Sequence, residues 1–168
     1  MKKFFAVFIS IWIFFLSGCV QKDLVDIYVF SERFSKNCQY FKIDTENLVA
    51  KEENDILKFP FTFSNKFLLT ADVNEETFLI TSLSLTYMHE KKEKLSDKDF
   101  ISFLNIADCA VKSFTKLENT DEIFEGLQLK NKSDVLKINH TSFEKGFYKY
   151  SFVSDEIGFY FIASTERR

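Results

Sequence analysis

Three cysteines carry the widest chemical repertoire in this 168-residue chain: Cys19, Cys38 and Cys109. A thiolate is the nucleophile of thiol catalysis, a metal ligand and a partner for disulfide exchange, so its surroundings decide its role. Two histidines, His89 and His140, are the other candidates. Neither has a second His, or a Cys, at metal-ligand spacing, which argues against zinc or another bound metal. His89 opens the charged run His-Glu-Lys-Lys-Glu-Lys, read as a solvated connection in preference to a partner-binding loop. His140 sits beside Asn139 and Thr141 in an extended pattern. No glycine-flanked serine supports a Ser-His-Asp arrangement. Four glycines leave no phosphate-cradling loop. The paired acids Glu52-Glu53, Glu75-Glu76 and Asp155-Glu156 fall in turn-like stretches, where solvated turns outweigh acid–base chemistry. The expectation is a protein with no catalytic residue, no metal and no cofactor.

The setting of Cys19 is different. Lys2 and Lys3 precede an apolar run from Phe4 to Leu16, then Ser17, Gly18 and Cys19. A basic start, a short apolar middle and a small-residue cut site are the marks of a secretory signal. Thirteen apolar residues fall short of the roughly 20 that span a bilayer. The ending Leu16-Ser17-Gly18-Cys19 resembles the lipobox of bacterial lipoproteins. That resemblance covers residues 1–19 only. It implies cleavage between Gly18 and Cys19, diacylation of the Cys19 sulfur, and acylation (with palmitate, for example) of the new N-terminus. Val20 stands where the enteric sorting pattern places Asp for inner-membrane retention. The implied address is the cell envelope, at the outer membrane facing the periplasm if the cell is Gram-negative.

Removing residues 1–18 leaves 150 residues, enough for one domain with a core of its own. Lys2 and Lys3 leave with the signal, so 20 basic residues face 25 acidic ones, a formal charge of −5. A negative domain without a basic block is a poor match for nucleic acid or for anionic lipid. Attachment to the membrane therefore falls to the acyl chains, several of which hold where one is marginal. In an exported protein Cys38 and Cys109 are left as a disulfide pair or as two separate structural thiols. Cys38 falls on the apolar side of its expected helix and Cys109 on the polar side of its own, which favours separate thiols without excluding a bridge.

The elements follow from periodicity. Residues 19–22 are the lipidated Cys and a short tether, which reaches at most roughly 3.5 Å per residue. Residues 23–168 form one domain held flush to the membrane. Leu24, Ile27, Tyr28, Ser31, Phe34 and Cys38 recur at helical spacing, with Asp23 as a cap. Ile56–Phe63 alternates Phe59, Phe61 and Phe63 as a strand, and Pro60 assigns it to an edge or bulge. Lys66–Val73 and Thr77–Tyr87 read as a hairpin about Asn74-Glu75-Glu76, with Leu79, Thr81, Leu83 and Leu85 on one face. Ser96 with Asp99 resembles a capping box opening a helix. Its apolar stripe is Phe100, Phe103, Leu104, Ala107, Val111, Phe114 and Leu117. A short helix near Thr120–Glu125 ends at Gly126, and strands follow at Val135–Thr141, Gly146–Ser154 and Ile157–Thr165.

Asp55-Ile56-Leu57-Lys58-Phe59 matches Asp134-Val135-Leu136-Lys137-Ile138, and each block follows an amphipathic helix. The expected fold class is α+β. Two α-β-β-β halves, residues 23–87 and 96–165, form a mostly antiparallel sheet with the helices packed on one face. The element order is similar to tandem β-lactamase-inhibitor-protein-like domains and, more distantly, to the saddle-shaped TATA-binding fold. Fold analogy transfers no residues. Tyr148, Tyr150 and Phe152 share one parity of their strand and are the candidate partner surface, since Tyr and Phe are favoured at interface cores. The leading expectation is a non-enzymatic protein-binding, scaffold or inhibitor module of the envelope, with membrane and an envelope protein as partners and no nucleic acid. The alternatives are a carrier or sensor of an apolar ligand and, third, an envelope hydrolase.

Overall fold

The computed structural model describes residues 24–88, 95–135, 137–155 and 158–165. The signal segment with Gly18 and Cys19, the tether, Asp23 and the loop containing His89 lie outside the described residues.

Helix α1 runs Ile27–Asn37. Its cap is Asp26 rather than Asp23: one Asp26 carboxylate oxygen accepts from the amides of Tyr28 and Val29, both at 2.9 Å. The buried face is Ile27, Phe30, Ser31 and Phe34. Tyr28, expected inside, is exposed, and Phe30 takes its place because it meets Phe61 across the core.

Strand β1 (Lys51–Glu53) is a short edge on β2 (Ile56–Thr62). Pro60 stands opposite Thr70 of β3, but β1 pairs β2 only as far as Lys58, so the other edge of β2 at Pro60 has no strand partner to miss its N–H. β3 (Phe67–Asn74) and β4 (Ile80–Met88) form the expected hairpin. Asn74 stabilises the turn, its side-chain oxygen accepting from the Thr77 amide at 2.9 Å. The simple alternation predicted for β4 fails at one place. The register shifts beside Asp72 and Val73, leaving Thr81 unpaired, so both Ile80 and Leu83 face the core.

Helix α2 (Asp97–Thr115) opens as the sequence predicts, with the Ser96 hydroxyl accepting from the Asp99 amide at 3.0 Å. α3 is Asp121–Gly126 and α4 a single turn, Lys132–Val135. That turn corrects the strand expected over Val135–Thr141. The Asn131 carbonyl accepts from the amides of Asp134 and Val135, winding the chain, and strand β5 begins only at His140 (His140–Lys145). The match between Asp55-Ile56 and Asp134-Val135 therefore pairs a strand start with a helical turn. Strands β6 (Tyr148–Ser154) and β7 (Gly158–Thr165) complete the chain.

The seven strands form one sheet in the order β1-β2-β3-β4-β7-β6-β5, every pair antiparallel. The class is α+β. One face of the sheet carries the core: Phe59, Leu69, Ala71, Leu83, Leu85, Tyr87, Tyr150, Phe152, Phe159, Phe161 and Ala163 are all buried. The helices lie on this face, ring against ring. Phe30 meets Phe61, Phe103 meets Phe152 and Phe159, Phe114 meets Tyr148, and Phe124 meets Phe161, at centroid distances from 5.2 to 6.4 Å. Such tilted and edge-on ring pairs add to the gain from burial itself.

Candidate functional site

The opposite face of the sheet carries Leu68, Thr70, Ser84, Thr86, Tyr160 and Ile162, among others, and each of these side chains is half-buried. Their placement follows from pairing. Thr70 stands opposite Ser84, Leu68 opposite Thr86, Thr86 opposite Tyr160 and Ser84 opposite Ile162. The result is a strip of short hydroxyls with two aliphatic side chains and one phenol across the three adjacent strands β3, β4 and β7. Charged groups sit toward its margins and are engaged with neighbours. Lys58 is 2.7 Å from Glu53, and Asp72 accepts from the Ser82 hydroxyl at 2.8 Å. Hydroxyl-rich and with few long charged side chains at its centre, this face has the composition of a surface that loses little side-chain entropy on being covered.

Tyr148, Tyr150 and Phe152 belong to the other face, and this corrects their assignment as an exposed partner surface. Tyr150 and Phe152 have no exposed area at all, and Tyr148 is half-buried against Phe114. Both parities of β6 look equally aromatic-tolerant in sequence, and only the docking of α2 decides between them. The Tyr150 hydroxyl is buried without a hydrogen bond of good geometry. Burial pushes its ionisation well above the phenol range, and Thr115 offsets this only partly, so it stays a neutral phenol.

Cys38 and Cys109 come together. Cys38 closes α1 and Cys109 lies midway along α2, and both are buried. Placing Cys109 on a polar flank mistook its surroundings: α1 packs along that side of α2, so Cys109, Ala110 and Ser113 are covered as well as the stripe facing the sheet. The two thiols are separate, with no bond between the sulfurs. The neighbouring Cys109 thiol lowers the Cys38 thiol to about 7, against the opposing effect of burial. The backbone at Phe41 and Tyr40 and the nearby Lys42 ammonium act in the same direction as Cys109. Cys109 is pushed up, first by its pairing with the Cys38 side chain and then by burial, with the charge of a Cys38 thiolate adding to both. Asn37 frames the pair, its carbonyl 3.7 Å from the Cys109 sulfur and its amide donating to the Ser113 hydroxyl at 3.1 Å.

Outside this pair lies a groove of about 560 Å³ lined by Arg33, Asn37, Lys112, Lys116, Leu117 and Glu118. Lys112 is held at 2.9 Å by Asp108. One guanidinium nitrogen of Arg33 is buried without a hydrogen-bond partner. Residue spacing holds no sign of this groove, because it joins the flanks of two helices 76 residues apart in contact.

His140 is exposed at the start of edge strand β5, opposite Val153. Among the described residues no three His, Cys, Asp or Glu side chains converge as metal ligands, and no helix is long and apolar enough to cross a membrane. No protein-family model, curated protein or solved structure matches this chain.

Proposed function

We propose that this chain is a lipid-anchored envelope protein that binds a partner protein through the helix-free face of its sheet. The observation that carries the reading is the one-sidedness of the sheet. Helical rings pack on the face of Phe152, Phe159 and Phe161, while Leu68, Ser84, Thr86, Tyr160 and Ile162 on the other face stay half-exposed. Antiparallel sheets tolerate one solvated face, but that face normally alternates toward charge. A centre of hydroxyls, Tyr160 and Ile162 suits a protein surface better than bulk water alone.

The anchor in this reading is Cys19, freed by cleavage after Gly18. The tether Val20-Gln21-Lys22 is too short to let the domain roam, so the partner meets it at the membrane surface. The two halves of the domain are read as related by an approximate two-fold between β4 and β7. Supporting this is the mirrored order β2-β3-β4 and β7-β6-β5 about an antiparallel junction. The binding face would then run unbroken across both halves.

Two measurements test this. Metabolic labelling with radioactive palmitate should mark the full chain and not its Cys19→Ser variant; equal labelling, or none, defeats the anchor. A photo-crosslinking residue at Ser84 or Ile162 in the native host should capture one envelope protein. The same residue at Ile101, exposed on the helical layer, should not. Capture from Ile101 alone would move the interface to the helices and overturn the assignment.

A further inference from the structure

We propose that Cys38 and Cys109 are a disulfide-forming pair that staples α1 to α2 in the mature protein. Three observations place them. Both side chains are buried, at 1% and 5% exposure, so no external thiol reaches either sulfur in the folded chain. The Cys109 thiol reaches the C-terminal end of α1, its sulfur 3.7 Å from the carbonyl oxygen of Asn37, the residue before Cys38. Their surroundings also hold the backbone on both sides. Asn37 binds Ser113, and the Lys42 ammonium donates to the carbonyls of Ser35 and Cys38, the latter at 2.7 Å.

The chemistry is thiol–disulfide exchange with a disulfide oxidant, the class of reagent that envelope compartments supply. Cys38 loses its proton and its thiolate attacks one sulfur of the oxidant. The oxidant's S–S bond breaks and one of its sulfurs leaves as a thiolate. Cys109 then gives up its proton and attacks the Cys38 sulfur, releasing the oxidant's second sulfur as a thiol. One Cys38–Cys109 bond has formed, two thiols have been oxidised, and one external disulfide has been reduced to two thiols. Lys42 stabilises the first thiolate. The folded geometry favours the second step, because it sets the Cys109 sulfur 3.7 Å from the carbonyl oxygen of Asn37, the residue next to Cys38. The attack on the oxidant takes place before α1 closes on α2; closure brings Cys109 to Cys38 for the second step and then shields the bond.

The bond's presence in the cell rests on the export reading, whereas the ability of the pair to form it does not. The test therefore has two arms. In the first, the full chain is made with its own leader in a bacterial envelope, denatured in maleimide without reductant, and peptide-mapped. A linked Cys38–Cys109 peptide, and no alkylation at either position until reductant is added, is the expected result. In the second, the reduced full chain is refolded from denaturant in a mixture of oxidised and reduced glutathione. The internal bond should form without accumulation of glutathione adducts at Cys38 or Cys109.

Free thiols in the first arm with the bond formed in the second would support the pair and overturn export. Alkylatable thiols or stable glutathione adducts at Cys38 or Cys109 in the second arm would overturn the pair itself. Closing a loop between positions 38 and 109 should raise the midpoint of thermal unfolding by roughly 10 °C over the reduced chain. The Cys38→Ser/Cys109→Ser variant should show no dependence on reductant. An oxidised chain no more stable than the reduced one would refute the staple.

Discussion

Gly158 of β7 lies opposite Met88 of β4, so close to the neighbouring Tyr87 carbonyl that a Cβ at Gly158 would stand 2.0 Å from its oxygen. The obstacle is backbone, so it cannot swing aside. Gly126 has a superficially similar problem, with a built Cβ 2.3 Å from the Phe143 ring, but that ring belongs to a half-buried side chain on edge strand β5. Gly126 is thus wanted for close approach, not for the left-handed helix stop its position suggests.

The two glycines should respond differently. Gly158→Ala must part β4 from β7 at the sheet's central junction and should cost about 3 kcal/mol, at the upper end for overpacking. Gly126→Ala should cost about 1 kcal/mol, because Phe143 can turn outward. Urea unfolding of both variants checks the order, and a larger loss at Gly126 would contradict it.

The Lys66 ammonium sits 3.2 Å from the Asp99 carboxylate, to which the Tyr87 hydroxyl also donates at 3.3 Å. Burial opposes ionisation of Asp99, but the hydrogen bonds from Ser96, Lys66 and Tyr87 outweigh it and hold the carboxyl below its ordinary value of 3.8. A carboxyl lowered in the folded state adds stability above its unfolded value, and that contribution disappears as pH falls through the folded value. Wild type should therefore exceed Asp99→Asn in stability by a constant margin near neutrality, and the margin should shrink below about pH 4. Denaturant midpoints measured from pH 7 down to pH 3 test the sign.

Tyr150→Phe removes a buried hydroxyl that has no well-formed hydrogen bond. Its effect on stability should lie between neutral and a gain of about 1 kcal/mol, since no bond is lost and a desolvated group is relieved. Tyr150→Ala, by contrast, empties a site with no exposure and should cost about 4 kcal/mol. Thermal unfolding of the two variants separates the roles of ring and hydroxyl.

Ile162→Lys and Ser84→Lys alter the helix-free sheet face without touching the core. Each should change stability by less than about 0.5 kcal/mol. On the binding reading each should also lose capture of the envelope partner. A variant that keeps both its stability and its partner would place the interface elsewhere.

Local physics made much of this fold legible in sequence. The Ser96 cap, the α2 stripe, the β3–β4 hairpin and the edge position of Pro60 all rest on contacts between near neighbours or on strict periodicity. The misplacements share a cause. Thr81 bulges out of β4 because β3 needs Ile80 on the core side. Val135 coils because Asn131 offers its carbonyl before β6 can offer a ladder.

By itself, the sequence determined the secretory look of residues 1–19, the α+β class and the sheet-facing apolar stripe of α2. Periodicity and composition are properties of the chain alone. The tertiary structure decided that Tyr150 and Phe152 lie under the helices, that the hydroxyl strip lies on the other face, and that Cys38 meets Cys109. Each of these depends on which flank of α2 the sheet covers and which flank α1 covers. An isolated helix of any sequence leaves both flanks equally open, and packing alone breaks the tie.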